Sequence, residues 1–146
     1  MDIVYHPIGT IRSPYKDMAP FQGRENDRKG PFILELENRY ATGLEDLKEN
    51  QWVFILFHID RARGYNGSNL AHPPHMNGGT IGLWASRSPN RPNPIGLDTA
   101  RIIRIDGNRV YTTGLSALDN TPLLDLKPLI SSDFAVSDRV PPQVQD

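Results

Sequence analysis

Apolar residues occur along this 146-residue chain in short runs separated by polar turns, a pattern typical of β-strands. Residues 52–57 form a continuous apolar run short enough to be a buried strand, whereas residues 32–37 alternate between apolar and polar side chains. Further strands are predicted over residues 3–12, 80–85, 97–105, 109–115 and 122–130. A tight hairpin is predicted at Asp106-Gly107-Asn108, because Asp-Gly supplies the positive φ angles that such a turn needs.

The sequence contains one good helix signal. Thr42-Gly43-Leu44-Glu45 matches a capping box and predicts a short helix through about Glu49. Because one short helix cannot cover six or seven strands, the sheet must hide its apolar face by closing on itself. The predicted fold class is therefore all-β: a small single β-barrel with long loops and at most one or two short helices. We expect residues 1–130 to form the barrel and residues 131–146 to form a C-terminal arm packed on the same domain or on a partner subunit.

Composition limits the function classes that remain. An apolar content of 38% is enough for one core in a single domain. No apolar run approaches the length of a membrane span, and the N-terminus lacks a signal-peptide pattern, so we expect a soluble, cytoplasmic protein without a membrane partner. The absence of cysteine excludes disulfides, thiolate nucleophiles and Cys-based metal sites. Because the net charge is −1, an anionic partner must be met by a local patch.

Residues 86–97 are stiff and cationic, with three prolines and two arginines. A linker should lead to a second domain, and a proline-rich peptide ligand should stay exposed. Neither fits, because the segment runs directly into the apolar Ile95-Gly96-Leu97 and no second core follows. A rigid loop instead holds Arg87 and Arg91 in fixed directions, and guanidinium groups bind carboxylate or phosphate through two hydrogen bonds. The segment therefore predicts a clamp for an anionic ligand.

Six blocks of the sequence resemble blocks of a known protein family. They are Pro7-Ile8-Gly9-Thr10-Ile11-Arg12-Ser13-Pro14, Pro20-Phe21-Gln22, Phe57-His58, Ser86-Arg87-Ser88-Pro89, Arg91-Pro92-Asn93-Pro94-Ile95-Gly96-Leu97 and Asp119-Asn120-Thr121-Pro122-Leu123-Leu124-Asp125-Leu126-Lys127-Pro128. In this order they resemble the TsaA-like family, which includes tRNA methyltransferase O. The resemblance implies a β-barrel that dimerises and binds S-adenosylmethionine. It also implies methylation of the N6 nitrogen of N6-threonylcarbamoyladenosine at position 37, in the anticodon loop of tRNA.

Methyl transfer from a sulfonium to nitrogen is an in-line displacement, for which alignment and exclusion of water supply most of the acceleration. A nearby base or water can take the proton that the acceptor nitrogen loses. The candidate residues are Asp119, Asp125 and His58, because a carboxylate also favours the sulfonium and a neutral histidine accepts a proton near pH 7. The sequence does not choose among them. The structural alternatives are turn-capping roles for the two aspartates and a core position for the histidine.

The resemblance also implies the segments that bind the cofactor, and residue chemistry suggests those that bind RNA. The predicted cofactor-binding residues are Pro20, Phe21, Gln22, His58, Ile59, Arg87, Leu97, Asp119, Asn120, Thr121 and Pro122. We expect Arg87 to pair with the methionine carboxylate and Phe21 or Gln22 to contact the adenosine. The predicted RNA-binding residues are Arg61, Arg63, Arg91 and Lys127, which would meet phosphates or the threonyl carboxylate, and Tyr65, which stacks on a base or packs on the barrel.

Two other function classes compete with a methyltransferase. A barrel that binds the same cofactor without catalysis would act as a sensor or scaffold. A metal-assisted hydrolase would need ligands such as His72-Pro73-Pro74-His75, but the prolines forbid the helix that would align the two imidazoles, and the same loop contains no acidic residue. We therefore expect no metal.

Overall fold

The computed structural model describes residues 1–17, 29–73 and 76–134. Eight strands are present: β1 (Gly9–Arg12), β2 (Phe32–Leu36), β3 (Trp52–His58), β4 (Leu70–Ala71), β5 (Ile81–Gly82), β6 (Ile95–Asp106), β7 (Arg109–Thr112) and β8 (Thr121–Pro128). Two 3₁₀ helices cover Asn38–Leu44 and Leu83–Ala85, and a single α-helical turn, α1, covers Ser131–Phe134. The described part is mainly β with little helix, as predicted. None of its helices is long and apolar enough to cross a membrane.

Six strands pair in the order β1-β2-β7-β6-β3-β8, and β8 pairs back onto β1 to close the sheet. The long strand β6 makes this closure possible because its first half pairs with β3 and its second half with β7. At Gly9, β1 touches both neighbours, opposite Leu36 of β2 and Leu123 of β8. A Cβ at this position would overlap the backbone of Glu35, so only glycine allows the two strands to approach this closely.

The core lies inside the closed sheet, where alternate residues of each strand point inward. Ile11, Leu34, Ile55, Val110 and Leu123, from five different strands, are fully buried there. Burial of each such side chain contributes about 1.5–3 kcal/mol. The interior is therefore filled by side chains, and ligand sites must lie on the rim, the loops or the outer face.

The hairpin at residues 106–108 is confirmed. Asp106 pairs with Arg109, so Gly107 and Asn108 form a two-residue loop, and Gly107 has a φ angle of 61°. The Asn108 side chain also donates to the Leu36 carbonyl at 2.6 Å, which attaches the turn to β2. Local sequence chemistry was sufficient to predict this element.

The predicted helix over residues 42–49 is wrong. The segment instead begins as the 3₁₀ helix Asn38–Leu44 and ends in turns, with Glu45 at a ψ angle of 140° and Asp46 at a φ angle of 70°. Leu44 is buried and Leu47 packs against the core, so tertiary packing of two leucines favours tight turns over a regular α-helix. The capping-box pattern is local and carries no information about this tertiary packing.

Several strand ends also differ from the prediction. The first strand begins at Gly9, and Ile3, Val4 and Tyr5 are exposed. The strand predicted over residues 80–85 is only β5, which pairs with the two residues of β4 before the chain turns into the 3₁₀ helix Leu83–Ala85. Strand length depends on the partner strand, which the sequence alone does not reveal. Of the predicted C-terminal arm, α1 is described and residues 135–146 lie outside the described residues.

Candidate functional site

Several predicted site residues meet at one end of the barrel, where β1 and β3 end and β6 and β8 begin. His58, the last residue of β3, pairs with Ile95, the first residue of β6. The next residue, Ile59, donates its backbone N–H to the Pro94 carbonyl at 2.8 Å. On the other side, Ile11 of β1 pairs with Thr121 of β8. We call this end of the barrel the rim.

Asp119 anchors the rim from inside. Its carboxylate is buried and accepts the backbone N–H of Ser13 at 3.1 Å and the Lys16 ammonium at 2.7 Å, and the Arg12 guanidinium lies 3.6 Å away. Its own N–H donates to the Tyr15 carbonyl at 2.7 Å. These contacts join the loop before β8 to the end of β1.

The surroundings of Asp119 hold its side chain in the charged form. The hydrogen bond from Lys16 lowers the pKa of the Asp119 carboxyl below its ordinary value, and the Ser13 N–H and the Arg12 charge act in the same direction against the opposing effect of burial. A carboxylate with a lowered pKa is a weak proton acceptor. Of the three candidate bases, Asp119 is therefore the least suited to take a proton and the best suited to fix the loop.

Arg61 connects the loop after β3 to the start of β8. One guanidinium nitrogen donates to the Asp119 carbonyl at 2.7 Å and to the Thr121 hydroxyl at 3.0 Å, and Nε lies 3.2 Å from the Asp60 carboxylate. Between these two acceptors, Asn120 has a φ angle of 67° and accepts a hydrogen bond from Arg12. The predicted RNA-binding residue Arg61 thus also holds the predicted cofactor-binding segment 119–122.

Arg87 extends from the cationic loop to β6. Its guanidinium donates to the Leu97 carbonyl at 2.6 Å while the side chain stays exposed. This contact leaves most of its hydrogen-bond donors available for a ligand, because a guanidinium carries five. The structure therefore brings the predicted residues Arg87 and Leu97 together next to the rim.

Arg91 has a different environment from Arg87. Its guanidinium is partly buried and donates to the carbonyls of Ser88 at 2.7 Å, Ser86 at 3.2 Å and Leu83 at 3.4 Å. A side chain that satisfies three backbone acceptors primarily holds its own loop in shape. The prediction that Arg91 contacts RNA stays a prediction, and its described partners all belong to the loop.

Asp125 and His58 lie on the outer face of the sheet. Asp125 of β8 and Leu97 of β6 flank the same residue of β3, Leu56, and His58 is two residues further along β3 on the same face. Because neighbouring strands are about 4.8 Å apart, Asp125 and Leu97 are separated by about 10 Å. The outer face therefore groups two of the three candidate bases near Arg87.

Lys127 shares this outer face. It lies opposite Phe54 of β3, and its ammonium is 3.4 Å from the Asp125 carboxylate in an exposed pair. Such pairs exchange readily with solvent and contribute little to stability. The prediction that Lys127 contacts RNA stays a prediction.

Arg63 and Tyr65 lie in the loop that leads to β4. The Arg63 side chain is exposed. Tyr65 is 41% exposed and donates its hydroxyl to the Asn69 side chain at 2.7 Å. Its ring is consequently held at the surface and is not packed into the barrel. The remaining predicted cofactor residues, Pro20, Phe21 and Gln22, lie outside the described residues.

The outer face next to the rim has the chemistry that S-adenosylmethionine needs. Arg87 offers a cation for a carboxylate, and Asp125 offers an anion for a sulfonium. Ile95 and Leu97 are 45% and 39% exposed and provide apolar surface for an adenine ring. The residues present therefore fit this cofactor.

A groove of about 400 Å³ lies elsewhere, outside β1 and β2. It touches the predicted residues Asn120 and Pro122 but is also lined by Glu35 and Glu37. These acidic side chains disfavour a phosphate or a carboxylate, so we do not assign the anionic ligand to this groove. Among the described residues, no three His, Asp or Glu side chains form a group that could hold a metal ion.

Arg12, Ser13 and Lys16 are absent from the predicted site residues, although all three contact Asp119. The sequence contained a signal for two of them, because the block from Pro7 to Pro14 already belonged to the family resemblance. The role of Lys16 depends on a contact with a residue more than 100 positions away and had no local signal.

Comparison with known proteins identifies the family of this chain. A sequence model of the tRNA-methyltransferase O N-terminal domain matches residues 10–133. The chain belongs to the tRNA-methyltransferase O N-terminal domain family. The resemblance of the sequence blocks to the TsaA-like family is thereby confirmed.

Two curated relatives of this family and one solved structure show how far the similarity extends. A probable S-adenosyl-L-methionine-binding protein from Archaeoglobus fulgidus is 39% identical over 127 residues, which cover 86% of this chain and 33% of that protein. The mouse tRNA (adenine(37)-N6)-methyltransferase is 38% identical over 127 residues, 85% of this chain and 27% of that enzyme. The crystal structure of TrmO from Pseudomonas aeruginosa superposes with a TM-score of 0.78 at 28% identity, covering all of this chain and 64% of that one. The chain thus spans about a third or less of these two curated relatives.

Proposed function

We propose that the protein is an S-adenosylmethionine-dependent methyltransferase that modifies the N6 nitrogen of N6-threonylcarbamoyladenosine at position 37 of tRNA. Membership of the tRNA-methyltransferase O N-terminal domain family supports both the cofactor and the tRNA substrate class. The observation that carries the proposal is that Arg87 contacts Leu97, and that Leu97, His58 and Asp125 lie on the same outer face beside the rim. These residues come from four of the six family-like blocks.

We assign cofactor binding to the rim side of the outer face. The cofactor supplies an electrophilic methyl group on a sulfonium when it is bound. Arg87 would bind the methionine carboxylate, since its guanidinium is exposed while anchored to β6. Leu97 and Ile95 would pack against the adenine. Segment 119–122, fixed by Arg61 and Asp119, would present backbone groups to the adenosine.

The proton of the acceptor nitrogen needs a base on the same face. His58 is exposed at the end of β3 and fits this role best, because the Asp119 carboxylate is buried and bonded to Ser13 and Lys16. Asp125 would instead favour a positive sulfonium through its charge, since its exposed pair with Lys127 is weak and exchanges with solvent. We therefore assign proton acceptance to His58 and electrostatic support to Asp125.

A second copy of the chain would complete the site. The outer face of β3 and β6 carries Phe54, Leu56, Ile95 and Leu97, which are exposed or half-exposed apolar side chains. Apolar surface on an outer sheet face is favourable to cover. We infer that a homodimer covers part of this face and shields the methyl donor from water. Sedimentation analysis of the purified protein tests this point, and a monomer at micromolar concentration would contradict it.

The decisive experiment supplies labelled S-adenosylmethionine with tRNA from a strain that contains threonylcarbamoyladenosine but lacks the N6-methyl group. We expect label at N6 of position 37. The control is tRNA without the threonylcarbamoyl group, which should take up no label. Cofactor binding by calorimetry without transfer to any tRNA would contradict the enzyme and would indicate a sensor.

Two variants test the assignment of the base. His58→Gln should lower the transfer rate at saturating cofactor by about 100-fold, because general-base catalysis typically contributes at least that factor. Asp119→Asn, which changes a buried anchor, should lower folding stability more than it lowers the rate of the folded enzyme. A His58→Gln enzyme with the wild-type rate would assign the proton to water or to Asp125.

A further inference from the structure

Trp84 is 70% exposed, although tryptophan is the side chain with the largest apolar surface to bury. Its backbone is nevertheless fixed. The preceding residue, Leu83, is buried, donates its N–H to the Asn69 carbonyl at 2.9 Å, and accepts bonds from the Ser86 N–H and hydroxyl at 3.1 and 2.8 Å. The structure thus holds a large aromatic ring at the surface on a rigid turn.

Arg91 lies against this ring. Its guanidinium carbon is 5.8 Å from the centre of the Trp84 ring, within the range of a cation–π contact. The three carbonyls that Arg91 contacts lie in the same loop as Trp84, so the cation cannot turn away without releasing them. The geometry therefore supports a role for Arg91 in positioning the Trp84 indole.

The sequence segment that contains Trp84 carries cationic side chains and no acidic ones. Between Asp60 and Asp98 the sequence contains no acidic residue, whereas it contains four arginines, Arg61, Arg63, Arg87 and Arg91. The pairing of β4 with β5 places exposed Leu70 opposite Gly82, two residues before Trp84. Such a segment suits a ligand that is a polyanion with flat apolar rings, because the arginines attract the anionic groups and the exposed aromatic ring stacks on the flat rings.

We propose that Trp84, positioned by Arg91, is a stacking platform for an unpaired nucleobase of the RNA substrate. The inference rests on the proposed function for the identity of the RNA, a tRNA loop, and adds a residue outside the predicted site. Proteins hold unpaired bases by stacking them on aromatic side chains and neighbouring arginines. A second copy of the chain is a less favourable occupant, because a symmetric contact through Trp84 would bring Arg87 and Arg91 of both copies together.

The fluorescence of Trp84 tests the platform directly. The chain has two tryptophans, so a Trp52→Phe variant leaves Trp84 as the only one. We expect its emission to be quenched when tRNA, or a single-stranded RNA with the anticodon-loop sequence, is added. A duplex RNA of the same composition is the control, and it should quench less because its bases are already stacked.

Binding measurements provide the second arm. Trp84→Ala should weaken tRNA binding about tenfold with unchanged S-adenosylmethionine affinity, and Trp84→Phe should restore most of the loss. Tyr5→Ala, which removes another exposed aromatic ring, is the matched control and should bind tRNA as the wild type does. In the single-tryptophan background, Arg91→Lys should lower the fluorescence anisotropy of Trp84, because a lysine ammonium lacks the two separate nitrogens with which Arg91 reaches the three carbonyls.

The outcomes separate this inference from the proposed function. An unquenched Trp84 together with wild-type tRNA affinity in Trp84→Ala would overturn the platform even if the enzyme methylates tRNA normally. Quenching by RNA supports the platform even if the wild type transfers no methyl group, and that result would contradict only the proposed function. A Trp84→Ala variant that changes oligomeric state without changing RNA binding would also overturn it and indicate a contact between copies.

Discussion

Arg87 shows how one side chain can be anchored to the fold and still be available to a ligand. Its contact with the Leu97 carbonyl fixes the direction of the guanidinium, but most of its donors are not used by that contact. The sequence predicts an anionic ligand for Arg87, because the prolines that follow it indicate a rigid loop, and this ligand stays a prediction. It could not identify the acceptor on β6, which depends on the folded position of the loop.

We expect Arg87→Ala to weaken S-adenosylmethionine binding by at least about tenfold, since a charge-assisted hydrogen bond to the carboxylate is lost. Isothermal titration calorimetry measures the effect. Arg104→Ala is the control, because Arg104 is an equally exposed arginine that stacks on Tyr111, 3.8 Å from its ring centre. Equal cofactor affinity in the Arg87 variant and the wild type would contradict the assignment of Arg87 to the cofactor carboxylate.

Asp119 illustrates a residue whose role was not visible in the sequence. Its partners Ser13 and Lys16 lie more than 100 positions away, so no local pattern connects them. The sequence placed Asp119 at the cofactor segment and among the candidate bases. Its buried and charged state, which decides between anchoring and proton transfer, follows only from the tertiary contacts.

The lowered pKa of Asp119 predicts a pH-dependent stability. A carboxyl whose pKa is lower in the folded state stabilises the fold at pH values above its ordinary pKa, and this contribution is lost as the pH falls through the folded value. Asp119→Asn should therefore be destabilised by about 1–3 kcal/mol at pH 7, and its difference from the wild type should shrink below about pH 4. Urea unfolding of both proteins at several pH values measures this, and a difference that stays constant into acid would contradict the charged anchor.

At the scale of elements, the sequence predicted correctly those elements that local interactions determine, and failed where contacts with distant residues determine them. The hairpin at residues 106–108 was predictable because Gly107 itself carries the required φ angle. The helix predicted over residues 42–49 was wrong because burial of Leu44 and Leu47 in the common core determines that segment. Strand ends were the least predictable feature, since pairing with a distant strand sets where each strand stops.

The close approach of β1 and β2 leads to a prediction at this scale. Gly9→Ala should destabilise the protein by about 1–3 kcal/mol, because the new Cβ would overlap backbone atoms of Glu35 and Leu36 that cannot move independently. Gly43→Ala is the matched control, since no atom lies within 4 Å of a Cβ at that position and it should leave stability nearly unchanged. Thermal unfolding of the two variants compares them, and equal melting temperatures would show that β1 can move away from β2.

At the scale of the whole molecule, closure of the sheet explains why several predicted site residues lie at one end. The scarcity of helix predicted that the sheet must cover itself, but the pairing of β1 with β8 could not be read from the sequence. That pairing brings the ends of β1 and β3 to the starts of β6 and β8. Blocks that are far apart in sequence, around Arg12, His58, Arg87 and Asp119, therefore reach the same rim.

The distribution of charge predicts how RNA binding responds to salt. Because the net charge is −1 and the acid-free segment between Asp60 and Asp98 contains only four of the 16 cationic residues, only a few arginines can meet phosphates at once. We expect log affinity for tRNA to fall with log salt with a slope of about −2, corresponding to about three phosphate contacts on a single strand. Arg63→Gln, which removes an exposed cation, should reduce the slope by about 0.7. Arg109→Gln, whose partner is Glu35 at 3.2 Å outside this segment, should leave the slope unchanged. Equal slopes for the wild type and Arg63→Gln would mean that Arg63 contacts no phosphate, whereas a reduced slope for Arg109→Gln would move the RNA to the other side of the barrel.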